Sequence, residues 1–315
     1  MTRRELLGRA AAAPLFVSSI APSLWAKKNH IGRDRFSAIT DEISKSPADA
    51  IAFAHTYGLK WLELRDVPGK KSGSYTFMAE DGIRAAAKEF HDAGIKISFL
   101  NTGMLKFGLP GTEPARLRPE TPEAKVKREE REHAQFDRRM ADLDKAIKSA
   151  HILGVNKMRV FSFTRVAEPE KLSARIAEIL DPMIRVCEKE GVQLLLENEG
   201  SCNVATSAEL AAAMKFNSSK AFGLNWDPHN TFSFKEVSFP DGYALLPKKR
   251  IGNVQTKGKS LLWPDQKFDW AGIFHALERD GYQGQVGLET HIFDDKAIEH
   301  SHNSMKEMLR IAGEM

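Results

Sequence analysis

Glu197, Asp227, Gln255 and Glu289 follow one another along the chain at intervals of 30, 28 and 34 residues. Each closes a short, β-rich apolar run: Leu194-Leu-Leu-Glu197, Gly223-Leu-Asn-Trp-Asp227, Ile251-Gly-Asn-Val-Gln255 and Val286-Gly-Leu-Glu289. Three carboxylates brought to one point repel each other and raise one another's pKa. A divalent cation removes that cost by supplying opposite charge. The set offers three anionic oxygens and one amide oxygen, with no thiolate or imidazole. Such hard donors favour Mn²⁺ or Mg²⁺ over a tetrahedral zinc site. For any single carboxylate, the alternative is an ion pair with Lys257, Arg159 or Arg65.

Those intervals require an element that repeats about every thirty residues. Phe36 to Thr40, Trp61 to Arg65, Ile95 to Leu100, Lys157 to Ser162, Val192 to Glu197, Ala221 to Asp227, Arg250 to Gln255 and Gln285 to Glu289 read as eight strands. Amphipathic runs separate them, several closed by glycine: Gly58, Gly94, Gly154, Gly191 and Gly281. Alternating strands and helices imply a parallel sheet covered by helices. Eight units predict an α/β, single-domain (β/α)8 TIM barrel over residues 36–315. A doubly wound open sheet is the alternative, but no G-x-G-x-x-G follows the first strand. In a TIM barrel the strand ends and βα loops carry the chemistry. That adds Arg65, Asn101, Arg159, His229, Asn230, Trp263 and His291 as candidate substrate-binding residues, and Trp226 as a ring that could stack on a substrate. About thirty residues between Asn101 and His133 lack an apolar period and read as a long loop over the active face, followed by a helix from about His133 to Leu153.

The first 26 residues read as an address. Arg3-Arg4 precedes a mostly apolar stretch from Ala10 to Ala26, and Lys27-Lys28 follows. This pattern is that of an export signal, similar to the twin-arginine type, and predicts a periplasmic protein. Pro14 and Pro22 make the stretch a poor membrane span, so no membrane association is expected after processing. Residues 27–35 read as a linker. A net charge of +4, with no basic tract interleaved with aromatics, argues against a nucleic-acid partner. Cys187 and Cys202 lack metal-site spacing and read as structural. Oligomeric state is left open.

Several segments resemble the xylose-isomerase-like sugar phosphate isomerase/epimerase superfamily. They are Leu194-Leu-Leu-Glu-Asn-Glu199, Gly223-Leu-Asn-Trp-Asp-Pro-His-Asn230, Asn253-Val-Gln-Thr-Lys257 and Val286-Gly-Leu-Glu-Thr-His291, supported by Ile39-Thr-Asp-Glu-Ile43 and Trp61-Leu-Glu-Leu-Arg65. The resemblance spans roughly residues 36–312 and implies a metal held by Glu197, Asp227, Gln255 and Glu289. Gln255 stands where most members have histidine, and Asn230 where many have another. The resemblance implies a sugar isomerase or epimerase that abstracts an α-proton through an enediolate, with Glu197 and Glu289 as paired acid and base and Lys257 stabilising an oxyanion. No glycine-rich phosphate cradle is visible, so the expected partner is an unphosphorylated carbohydrate. Two alternatives stay open: a lyase or hydrolase acting on a keto-sugar or 3-keto-glycoside with the same metal, and a non-catalytic sugar-binding barrel.

Overall fold

The β-rich runs become eight parallel strands: β1 (Phe36–Ala38), β2 (Trp61–Leu64), β3 (Lys96–Leu100), β4 (Lys157–Val160), β5 (Gln193–Glu197), β6 (Phe222–Trp226), β7 (Ile251–Thr256) and β8 (Gln285–Leu288). The computed structural model describes residues 29–70, 73–116, 119–258, 268–292 and 294–315. The segment expected to be an export signal, residues 1–26, and Trp263 lie outside these residues. Each strand pairs with its sequence neighbour, and β1 pairs with β8. Between β1 and β2 the ladder is reduced to a bridge from Ile39 to Glu63, which brings the barrel nearly to closure.

Local chemistry explains the spacing of the helices. Pro47–Tyr57 starts with Ser46 accepting from the Asp49 amide and with proline at a position where no amide donor is needed. It ends at Gly58, whose φ of 64° lets the chain reverse into β2. Trp270–Arg279 buries Trp270, Ile273, Phe274 and Leu277 on one side, the spacing that lays a helix on a sheet. Ala297–Ile311 closes the ring by packing Met305, Met308 and Leu309 inward.

The long segment after β3 differs from expectation. Its charged half forms the helix Pro122–Asp137, which meets Arg139–Leu153 at Arg138. Thr121 caps it and Pro122 opens it. Apart from Glu132 its side chains are not buried, so it has no apolar stripe to read. Polar contacts support it instead, among them Arg128 to Glu132 and Glu120, each near 3 Å. The described residues of 101–121 carry no helix or strand.

Residues 29–35, read as a linker, pack against the last two helical units. Ile31 is fully buried, His30 reaches Glu278 at 3.0 Å, and Arg33 reaches Glu314 at 3.2 Å. Both cysteines are buried and unpaired. Among the described residues, no helix is long and apolar enough to cross a membrane.

Candidate metal centre and active site

Glu197 ends β5, Asp227 follows β6, and Glu289 follows β8. All three side chains are buried, and one oxygen from each lies within 4.8 Å of the others. In each, the surrounding scaffold engages one oxygen. Asp227 Oδ1 accepts the backbone amides of His229 (2.9 Å) and Asn230 (3.2 Å), capping the short 3-10 turn His229–Phe234. The Asp227 backbone is in turn clasped by Asn198, which donates to its carbonyl at 2.7 Å and accepts its amide at 2.9 Å. Glu289 Oε1 accepts from Arg65 at 3.3 Å. Glu197 Oε2 accepts from Arg159 at 3.2 Å and from Asn225 at 2.5 Å.

Lys257 enters the same space, one residue past β7. Its ammonium lies 2.7 Å from Asp227 Oδ2, 3.1 Å from Glu289 Oε2, and 2.9 Å from Asn230 Oδ1, to which it donates. Only 5% of its side chain is exposed. The ion pairs weighed as alternatives to convergence thus coexist with it: Lys257, Arg159 and Arg65 each contact a carboxylate of a cluster that still gathers to a point.

Electrostatics separate the three acids. Burial pushes Glu197 up to about 7; Arg159 pulls it back and the neighbouring Glu289 charge raises it further. Burial likewise raises Asp227, against the pull of Lys257. Burial also opposes the charge on Glu289, but Lys257, Arg159 and Arg65 together outweigh it and hold that carboxyl well below the usual range. Lys257 is penalised by burial too, yet the attraction of Asp227, Glu289 and Glu197 keeps it firmly protonated.

A metal fits this donor set. Gln255 Oε1 is a buried oxygen that accepts no hydrogen bond, which is costly unless something else satisfies it. Asp227 Oδ2 and Glu289 Oε2 face the Lys257 ammonium at 2.7 and 3.1 Å. All three are hard oxygen donors, suited to a divalent cation. Gln255 is the cross-strand neighbour of Asp227, one residue past the Trp226–Val254 pair. Its Nε2 donates to Glu63 Oε2 at 2.8 Å. Glu42, Glu289 and His291 form a second close group, but Arg65 already bonds Glu42 at 2.8 Å within it.

Other expected site residues separate by depth. His229, Asn230, His291 and Lys257 line a cavity of about 610 Å³ above the carboxylates, with Glu199 and Arg165 across from them. The His291 backbone has φ of 52°, and its amide donates to Glu42 at 2.6 Å, which turns the β8 loop over the mouth. Arg65 and Arg159 hold carboxylates from the side. Asn101 is 1% exposed and donates to Glu63 at 2.9 Å, so it serves the barrel interior rather than the cavity. Trp226 is fully buried against Tyr243 and offers no face to a ligand. Sequence reasoning missed the aromatic rim: Phe232, 48% exposed, and Phe234, against which Arg165 stacks at 4.6 Å. The Thr-Phe-Ser-Phe run after Asn230 was its available signal.

The interior below the carboxylates is polar. Asn225 bonds Glu197, Asn253 donates to Asn225 at 3.1 Å and to Glu63 at 3.4 Å, and Glu63 receives Ser37, Asn101 and Gln255.

No curated protein matches the chain at a significant level. Solved structures share its fold. The IOLI protein with a bound zinc atom has a TM-score of 0.63 at 14% identity, covering 89% of this chain and 96% of that one. A D-psicose 3-epimerase from Clostridium cellulolyticum, solved with D-tagatose, has a TM-score of 0.62 at 15% identity, covering 89% and 100%. A 3-keto-D-glucoside 4-epimerase from E. coli has a TM-score of 0.61 at 12% identity, covering 87% and 98%. The family model described as xylose isomerase-like TIM barrel matches residues 51–310, and the chain belongs to that family.

Proposed function

We propose that this protein is a metal-dependent sugar isomerase or epimerase that moves a proton at the carbon next to a carbonyl. The observation that carries the reading is the buried convergence of Glu197, Asp227 and Glu289 beneath an open cavity. Glu197, Asp227 and Glu289 would hold a divalent ion, Mn²⁺ or Mg²⁺, with the Gln255 carbonyl as a neutral fourth donor. When bound, such an ion polarises a carbonyl and acidifies the neighbouring C–H. Glu197, beside Arg159, and Glu289, beside Arg65 and Lys257, are the candidates for the paired acid and base of that proton transfer. Lys257, held protonated between Asp227 and Glu289, places a donor where negative charge on a substrate oxygen would develop. His229, Asn230 and His291 line the cavity and supply polar contacts for hydroxyl groups.

The test has two steps. Protein purified without chelators is analysed for bound metal, then incubated in D₂O with a panel of ketoses and keto-glycosides. About one divalent ion per chain and deuterium entering the carbon next to the carbonyl are expected. A chain that binds no divalent ion, or exchanges none of these substrates, overturns the reading.

A second reading, elimination or hydrolysis of a 3-keto-glycoside, draws on the size of the cavity. At about 610 Å³ it lies well within the range of small-molecule sites and exceeds what one six-carbon sugar fills. Phe232 at its rim offers a ring to a second group. Phe232→Ala should raise KM about tenfold for a glycoside bearing an aromatic aglycone, the effect of losing one aromatic contact, and leave a free ketose unaffected. Export remains part of the proposal. It rests on Arg3-Arg4 and the apolar stretch that follows, and Arg3→Lys/Arg4→Lys should retain the protein in the cytoplasm.

A further inference from the structure

We propose that Glu63, buried in the barrel interior, is a positioning residue that fixes which end of the Gln255 amide faces the metal. The inference rests on the metal reading above. Glu63 lies on β2, across the barrel from β7, and is fully buried. Every contact made to its carboxylate comes from a donor: the Ser37 hydroxyl at 2.8 Å, Asn253 Nδ2 at 3.4 Å, Asn101 Nδ2 at 2.9 Å and Gln255 Nε2 at 2.8 Å. Space for it is provided by Gly287, where a side-chain carbon would sit 2.0 Å from Glu63 Oε1.

An amide side chain has one nitrogen end that donates and one oxygen end that accepts. A metal ion takes only the oxygen. On an unconstrained glutamine the two ends exchange by a half-turn, so half of its orientations present hydrogens to the ion. Here Gln255 Nε2 faces two acceptors, Glu63 Oε2 at 2.8 Å and Asn101 Oδ1 at 3.5 Å. The reverse orientation would set the Gln255 oxygen against both. Glu63 therefore takes the nitrogen end and leaves Oε1 as the buried acceptor without a partner. The same logic governs metal-ligating histidines, whose second nitrogen is held by a carboxylate. Glu63 does for an amide what such a carboxylate does for an imidazole.

The experiment is calorimetric titration of EDTA-stripped protein with MnCl₂, with folding checked by circular dichroism and thermal melting. Glu63→Met fills the space but removes both oxygens; it should weaken Mn²⁺ binding by about 10- to 100-fold, the range for losing an outer-shell partner. Glu63→Gln can turn its own oxygen towards Gln255 and Asn101, and should stay close to wild type. Gln255→Leu should weaken binding similarly, and adding Glu63→Met to it should cost nothing more, because Glu63 acts through Gln255. If Glu63→Met fails to fold, Gly287→Ala displaces the carboxylate by another route and should reproduce the loss. Unchanged affinity in folded Glu63→Met, or an equal extra loss in the Gln255→Leu background, overturns the positioning role while leaving the metal reading intact. Wild-type protein that binds no Mn²⁺ or other divalent ion overturns both.

Discussion

The ammonium of Lys257 sits 2.7 Å from Asp227 Oδ2 and 3.1 Å from Glu289 Oε2, bridging two acids of the carboxylate cluster. A cation of the chain's own therefore stands where a divalent ion would draw on the same charge. The lysine is tethered on its other side by Asn230, one residue after His229 in the cavity wall. It makes all three contacts at once, to Asp227, Glu289 and Asn230.

Lys257→Met tests this arrangement through stability. Removing one partner from a buried cluster leaves uncompensated charge, at a cost of about 3–5 kcal/mol. Metal-free Lys257→Met should therefore melt well below wild type. Saturating Mn²⁺ should recover most of that loss, and the rise in Tm on adding metal should be larger in the variant than in wild type. Equal metal-induced shifts in the two proteins would show that ammonium and ion do not share the site.

Glu197→Gln separates proton transfer from packing. The side chain keeps its size and an oxygen for Arg159 and Asn225. It loses the ability to carry a proton. Deuterium exchange into an active ketose should fall by about 10²- to 10⁴-fold, with a circular dichroism spectrum like that of wild type. Retained exchange would assign the proton step to other groups.

Much of this site was legible because barrel topology turns linear spacing into convergence. Glu197, Asp227 and Glu289 sit at or just past strand ends; the ladders pair Glu197 with Asn225 and Gln255 with Gly287, each two residues short of the next acid, and the stagger of tilted barrel strands makes up that offset so that the three oxygens meet. What was not legible depended on depth and direction. Asn101 and Trp226 also stand at strand ends, yet they point into the interior and into the Tyr243 layer, a distinction that strand-end position does not encode. Glu63 stands in the run Trp61-Leu-Glu-Leu-Arg65, but its partners lie 26 to 192 residues away in sequence. The helix Pro122–Asp137 escaped because its stability comes from charge pairs rather than an apolar face.

Gln255→His replaces a hard oxygen donor by imidazole at the position where most family members carry histidine. The Glu63 carboxylate would accept from one ring nitrogen and leave the other for the ion. Imidazole suits zinc better than an amide oxygen does. The affinity ratio of Zn²⁺ to Mg²⁺, measured by competition titration, should rise by about tenfold or more. An unchanged ratio would mean that residue 255 does not touch the ion.

Acid stability is expected to depend on His302, away from the site. Its Nδ1 lies 2.8 Å from the Tyr57 hydroxyl, and its ring packs 4.8 Å from Phe53. Burial depresses its pKa below the usual 6.5, and Lys306 adds a like charge. The folded state therefore resists protonation that the unfolded chain accepts. The stability this contributes is fully present above about pH 6.5 and is lost as pH falls through that value towards the lower folded pKa. His302→Phe removes the titrating ring while keeping an aromatic against Phe53. It gives up the Tyr57 contact, so its Tm at pH 8 sets the baseline. Between pH 8 and pH 5.5 the wild type should lose more Tm than the variant. Parallel loss across that window would place the acid sensitivity elsewhere.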